Sequence, residues 1–192
     1  MSSPENKALS SVRIIGGEWR RRVLRFPESE GLRPTPDRVR ETLFNWLGQD
    51  LSGLSCLDLF AGSGALGFEA ASRGAAKVVM VERAPKVLAT LQENAGLLGA
   101  AERVEIVRAD ALKFATSTAS RFDVLFLDPP YRQGWIAKLM PLLPRILADD
   151  AVIYVEAESE LDGCGEWRTV RRGQAGQVYF QLMRRGEPDG AE

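Results

Sequence analysis

The sequence predicts a doubly wound α/β domain: a mostly parallel sheet with an antiparallel C-terminal strand, preceded by a β-hairpin. Three observations predict it. Short apolar runs recur at Ser55–Phe60, Val78–Val81, Val104–Val107, Val124–Leu127 and Val152–Val155. Near-continuous runs mark strands buried on both faces, hence parallel strands covered by helices. Helical stretches separate them, such as Pro85–Leu98, opened by Pro85 and closed by Gly99. Trp167–Arg171 and Val178–Met183 are joined by Arg172–Gln177, too short for a helical crossover, so these two pair antiparallel.

Composition narrows the chemistry. A length of 192 residues is one domain with some excess. The chain is 45% apolar and 27% charged, an ordinary globular composition with enough length for a sizeable core. Cys56 and Cys164 are the only two cysteines, which excludes a disulfide framework and a cysteine-rich zinc site. Histidine is absent. Ser-His-Asp and Cys-His catalysis, a histidine general base and histidine-ligated metals are therefore excluded. Carboxylates, backbone groups or a bound cofactor must do the work, and no metal is expected. The apolar runs are too short to span a bilayer, and the N-terminal MSSPENKALSS lacks the apolar stretch of a signal peptide. A cytoplasmic location, away from membranes, is expected.

The first elements are basic. Val12–Ile15 and Glu18–Phe26 flank Gly16-Gly17 and predict a hairpin. Between Val12 and Arg40 eight arginines face four acids, a net of +4 within a chain of net charge −1. Such a surface can bind a polyanion. On a strand, Arg20 and Arg22 would share one face, with Trp19, Arg21 and Val23 on the other. Arg20 and Arg22 are thus the expected phosphate contacts. After the connector GLRPTP, Thr35 is the expected N-cap of a helix, with Pro36 at its first position. Val39, Leu43, Trp46 and Leu47 form its apolar stripe, and Gly48 stops it.

Two motifs carry chemistry. The run CLDLF is followed by AGSGALG, in which Gly62, Gly64 and Gly67 fit G-x-G-x-x-G, with Glu82 about 20 residues on. A nicotinamide-dinucleotide site would use the same glycines. Against it stand Asp58, which would oppose a pyrophosphate, the missing substrate domain, and the missing histidine. Asp58, Glu82, Asp110 and Asp128 each lie at or just past a strand end. Those ends share the ligand-binding edge of a doubly wound sheet. Such an acidic edge suits S-adenosylmethionine, which is net positive. Glu82 is placed for the ribose hydroxyls and Asp110 for the adenine amino group. The second motif, FDVLFLDPPY, ends a buried strand in Asp128-Pro129-Pro130-Tyr131. The prolines remove two N–H donors and stiffen the backbone. The remaining acceptors suit a planar exocyclic amine, and Tyr131 can stack on a base splayed out of its helix.

With DLFAGSG and DPPY in this order, the chain resembles the S-adenosylmethionine-dependent amino methyltransferases. RIIGGEWR, LRPTPDRVRETLFNWL, CLDLFAGSGALGFEA, IYVEAE and GQVYF narrow the resemblance to the bacterial small-subunit ribosomal RNA guanine-N2 methyltransferases, over about Val12 to Met183. The resemblance implies a Rossmann-like, seven-stranded methyltransferase sheet over 35–185 and a hairpin and connector over 12–34 that grip RNA. Residues 1–11 and 186–192 are expected to be disordered. It implies cofactor contacts from Asp58, Phe60, the Gly62–Gly64 loop, Glu82, Asp110 and Ala111, with Thr35 over the methionine end. It implies catalysis by Asp128, Pro129, Pro130 and Tyr131, and RNA contacts from Arg20, Arg22 and Arg33. The partner implied is 16S ribosomal RNA, free or within an assembling small subunit; no protein partner is implied. The alternatives are an adenine-N6 methyltransferase acting on DNA or RNA, an NAD(P)-dependent oxidoreductase, and a non-catalytic RNA-binding protein. Ser159–Gly165 and Cys164 carry no assignable role.

Overall fold

The computed structural model describes residues 9–28 and 32–186. A two-stranded hairpin comes first, β1 (Leu9–Arg13) and β2 (Val23–Pro27). Helix α1 (Asp37–Leu47) follows. Strands and helices then alternate: β3 (Ser55–Asp58), α2 (Ala65–Ser72), β4 (Lys77–Glu82), α3 (Pro85–Leu98), β5 (Val104–Arg108), α4 (Ala111–Ser117) and β6 (Phe122–Leu127). Short helices α5 (Trp135–Leu139) and α6 (Leu143–Ile146) lead to β7 (Leu147–Ala157), β8 (Gly163–Cys164), β9 (Trp167–Ala175) and β10 (Val178–Arg185). The large sheet has the order β5-β4-β3-β6-β7-β10-β9-β8. Its first five strands are parallel and its last three pairings antiparallel.

All seven predicted runs form strands. The eighth, Gly163–Cys164, arises within the uninterpreted segment and pairs with Trp167 and Arg168. Its signal is two residues long and has no periodicity to read. Cys164 is fully buried beside Trp167, so it serves as a small core residue.

Two apolar layers sandwich the sheet. One face packs Cys56, Met80, Phe126 and Tyr154 against α1, α2 and α3. The other packs Leu57, Val81, Leu125 and Ile153 against α4, α5 and α6. The hairpin belongs to the first layer, because Val12, Ile14, Trp19, Leu24 and Phe26 are buried in that same cluster.

The hairpin departs from expectation. Residues 14–22 form a folded turn and not two strands around Gly16-Gly17. Ile15 and Gly16 donate their N–H groups to Glu69, and the Trp19 N–H goes to Ser72 Oγ. These side-chain acceptors on α2 outcompete a tight strand pairing. Arg20 to Arg22 therefore do not alternate. All three are exposed, Arg21 has φ 70°, and Val23 is exposed rather than packed.

Leu9–Ser11, expected to be disordered, lie in β1, where main-chain pairing with β2 orders them. Gly186 donates its N–H to the Glu166 carbonyl, so order reaches one residue into the expected tail. The rest of the two predicted disordered ends, 1–8 and 187–192, lies outside the described residues.

Candidate active site

Register places the acids. Asp58 lies opposite Met80 on β4 and Phe126 on β6, and Phe126 lies opposite Tyr154 on β7. Strand side chains alternate, so Glu82, Asp128 and Glu156, each two residues on, share the face of Asp58 one pleat nearer the C-terminal edge. Asp110 follows Arg108, the residue opposite Glu82. Five carboxyl groups thus meet at one edge. None is ion-paired with a described lysine or arginine.

The glycine loop is shaped by close approach. Gly64 has φ 82°, and a Cβ there would come within 2.6 Å of the Phe68 ring and 2.8 Å of Leu91. Gly62, at φ 52°, would meet Leu32 Cδ1 at 2.8 Å. At both positions φ is positive, so any side chain would be strained there and would press on Leu32 or on Phe68 and Leu91. Glu82 fixes the loop from the next strand, accepting the Gly62 N–H at 3.2 Å and the Ala84 N–H at 2.8 Å.

Asp58 is 1% exposed and accepts the Gly67 N–H at 3.1 Å. Burial pushes its carboxyl up to about 7. Asp110 caps α4, its Oδ1 accepting from Leu112 and Lys113. Ala111 opens that helix and is buried. Phe60 meets Trp135 edge-on with ring centroids 5.2 Å apart.

The Asp128–Tyr131 turn leaves the sheet beside Glu156. Burial holds the Asp128 carboxyl well above the usual carboxylate range, and the neighbouring charges of Glu156 and Asp58 push the same way. Burial also raises Glu156, opposed by hydrogen bonds from Thr35 Oγ1 at 2.5 Å and Tyr154 Oη at 2.9 Å. Pro129 is buried and Pro130 exposed. Tyr131 is 42% exposed, and burial of its remainder pushes the phenol up to about 12. Its ring is available at the mouth of the carboxylate pair.

Two positions differ from the sequence reading. Thr35 does not cap α1: the N-cap is Pro36, without a side-chain bond. Its hydroxyl donates instead to the buried Glu156 carboxyl. Glu156 was not singled out from sequence, although it follows the Val152–Val155 run as Asp128 follows Val124–Leu127. It lies one residue past that run, but β7 continues beyond it with no turn residue to mark the strand end.

The three arginines read as RNA contacts separate. Arg33 is exposed two residues before Thr35. Arg22 reaches the Leu97 carbonyl at the far end of α3. That helix has 14 residues and starts at the site edge, so Arg22 lies about 20 Å away along its axis.

Comparison with known proteins agrees with this geometry. Residues 12–184 match the family described as conserved hypothetical protein 95. Ribosomal RNA small subunit methyltransferase D of Escherichia coli K12 is 43% identical, covering 98% of this chain and 99% of its own. The solved structure of the Escherichia coli protein yhhF superposes with a TM-score of 0.81 at 43% identity, over 92% of this chain and 98% of that one. An RNA methyltransferase of Salinibacter ruber, solved with S-adenosyl-L-homocysteine, shares the fold at 21% identity and TM-score 0.66, over 83% of this chain and 98% of that one. Two independent features coincide, a glycine loop braced by strand-end acids and a DPPY turn beside a second carboxylate, and they do so on a chain that matches these relatives almost end to end; the chain belongs to the family of ribosomal RNA small subunit methyltransferase D.

Proposed function

We propose that this protein transfers a methyl group from S-adenosylmethionine to the exocyclic N2 amine of a guanine in 16S ribosomal RNA. The observation that carries the proposal is the Asp128–Tyr131 turn, a rigid acceptor set beside a half-exposed ring and a second carboxylate. Bound S-adenosylmethionine supplies a methyl group on a cationic sulfur. An edge of five carboxyls, none ion-paired with a described lysine or arginine, fits that charge.

The chain's own residues then act on the amine. The Asp128 carboxylate and the Pro129 carbonyl accept its two hydrogens. They draw the nitrogen lone pair out of conjugation and stabilise the positive charge that develops there. Asp128 is the nearest base for the proton the nitrogen sheds after transfer. Tyr131 stacks on the flipped base. Asp58 braces the glycine loop through Gly67, and Asp110 and Glu82 offer their remaining lone pairs to the cofactor's amino and hydroxyl groups. Phe60 and Ala111 supply apolar walls. Thr35 bears on the site through Glu156. Arg33 takes a phosphate at the site edge, and Arg20 and Arg22 take phosphates of the same RNA farther away. The substrate is ribosomal RNA, within an assembling subunit or free, and the reaction takes place in the cytoplasm. Among the described residues no helix is long and apolar enough to cross a membrane.

RNA from a strain lacking this protein, methylated with tritiated S-adenosylmethionine and digested to nucleosides, tests the proposal. Labelled N2-methylguanosine is the expected product; N6-methyladenosine would replace this reading with an adenine methyltransferase.

Two further outcomes are expected. Glu82→Ala should weaken S-adenosylmethionine binding by about 1.5–3 kcal/mol for each charge-assisted hydrogen bond lost, with RNA binding nearly intact. Calorimetry reads both, and tight NADH binding without S-adenosylmethionine binding would point to an oxidoreductase. Arg20→Ala combined with Arg22→Ala should lower the log–log salt slope of RNA binding by about 1.4 to 1.8, and Arg33→Ala by about 0.7 to 0.9. An unchanged slope in the double variant would confine RNA docking to the site edge.

A further inference from the structure

We propose that Glu156 reads the N1–H of the target guanine, so that the pair Asp128 and Glu156 recognises the guanine edge and sets its preference over other 2-aminopurines. The inference rests on the guanine-N2 reading above and adds a specificity-determining residue to it.

Register brings the two carboxyls together. Leu127 pairs with Val155 in the parallel β6–β7 ladder, so Asp128 and Glu156 follow side by side at the neighbouring-strand spacing of about 4.8 Å. Both share the face of Phe126 and Tyr154, whose rings lie 6.5 Å apart. Two adjacent acids with no described cation between them are costly.

The hydrogen bonds on Glu156 are one-sided. Thr35 Oγ1 and Tyr154 Oη both donate to Oε1. Oε2 receives no hydrogen bond from a described residue and is not sealed from solvent. Oε2 stays free on a residue that neighbours Asp128 by register, while Oε1 is clamped from the connector and from its own strand. Glu156 is therefore oriented with one acceptor held and one presented.

Guanine presents adjacent donors on its Watson–Crick edge, N1–H and the N2 amine. One carboxylate for each satisfies that edge and relieves the repulsion between the acids. A purine with a bare N1 would set its lone pair against Oε2. Sites that leave a buried polar group unpaired reject the wrong ligand strongly. Adenine has such an N1, and 2,6-diaminopurine combines a bare N1 with the same N2 amine as guanine.

The diaminopurine supplies the test. The methylated guanine is first located by nucleoside mapping, and 16S RNA carrying guanosine or 2,6-diaminopurine riboside there is made by splinted ligation. Wild-type protein should prefer guanosine by about 10²-fold or more in kcat/KM. Glu156→Gln keeps its carbonyl on Thr35 and Tyr154 and turns an amide donor toward the base. It should lose guanosine activity and shrink the preference at least about tenfold, because the amide N–H now suits a bare N1. Glu156→Ala removes both the acceptor for N1–H and the charge that repels a bare N1, so it should also lose guanosine activity and shrink the preference, without the gain on the diaminopurine that the amide N–H provides.

Equal losses on both substrates in Glu156→Gln, leaving the ratio unchanged, would reduce Glu156 to a structural part and overturn the proposal. That result would leave the guanine-N2 reading intact if wild-type protein still forms N2-methylguanosine. N6-methyladenosine from wild-type protein would remove both.

Discussion

Asp128→Asn should cut turnover by about 10²–10³, the usual cost of losing one preorganised electrostatic contact. The variant keeps the shape of the Asp128–Tyr131 turn. It replaces a charged acceptor with an amide that can turn its own N–H toward the substrate amine. Binding of S-adenosylmethionine and of RNA should change much less, because the contact strengthens only as charge develops on the nitrogen. Single-turnover methylation, with both ligands saturating, separates the two effects. A wild-type single-turnover rate would show that Asp128 is not the amine's partner. A residual rate in Asp128→Asn would report on what Glu156 can do alone.

Glu69→Ala should be the most destabilising single change considered. Glu69 is fully buried on α2 and satisfies four donors. Its Oε1 accepts the Gly16 N–H at 2.8 Å and Arg73 Nε at 2.9 Å. Its Oε2 accepts the Ile15 N–H at 2.9 Å and Arg40 Nη1 at 3.2 Å. Arg40 is also fully buried and donates onward to the carbonyls of Arg13 and Thr35 and to Asp37. Truncating Glu69 leaves the buried Arg40 guanidinium with only the exposed Asp37 as counter-charge, Arg73 without its acceptor, and two backbone N–H groups unpaired. Breaking one side of such a pair costs about 3–5 kcal/mol. For a chain of this size that is a fall in Tm of roughly 6–20 °C. Thermal unfolding followed by circular dichroism measures it, and a change of under about 2 °C would show that solvent replaces the network at no cost. The damage should reach the site. Arg40 holds the Thr35 carbonyl and Thr35 holds Glu156, so a loosened connector should also lower turnover in the folded fraction.

Much of the site was legible along the chain. Asp58, Gly62, Gly64, Glu82, Asp110 and the Asp128–Tyr131 turn stand at strand ends, and apolar runs followed by an acid or a glycine announce strand ends. Glu156 also lies at the end of an apolar run, but IYVEAE continues as strand with no turn residue to mark its end. The hairpin was legible as a basic, Gly-Gly-centred segment but not in its geometry. Gly16 and Gly17 are compatible with a two-residue turn taken alone. What decides against it is Glu69, more than fifty residues away, which captures the Ile15 and Gly16 N–H groups. The arginines of the turn follow that decision, losing the alternation a strand would impose.

The sequence by itself determined the strands, their parallel or antiparallel sense, the glycine loop and the acid edge, because these depend on local apolar runs, connection length and residue chemistry near each strand end. Tertiary structure alone decided which partners those groups take. It turned Thr35 from a helix cap into a donor for Glu156, set Glu156 beside Asp128, and folded residues 14–22 onto α2. Each outcome depends on a group far away along the chain. A buried carboxylate accepts hydrogen bonds strongly, as Glu69 does from Ile15 and Gly16 and Glu156 does from Thr35, and no local window of the sequence contains both donor and acceptor.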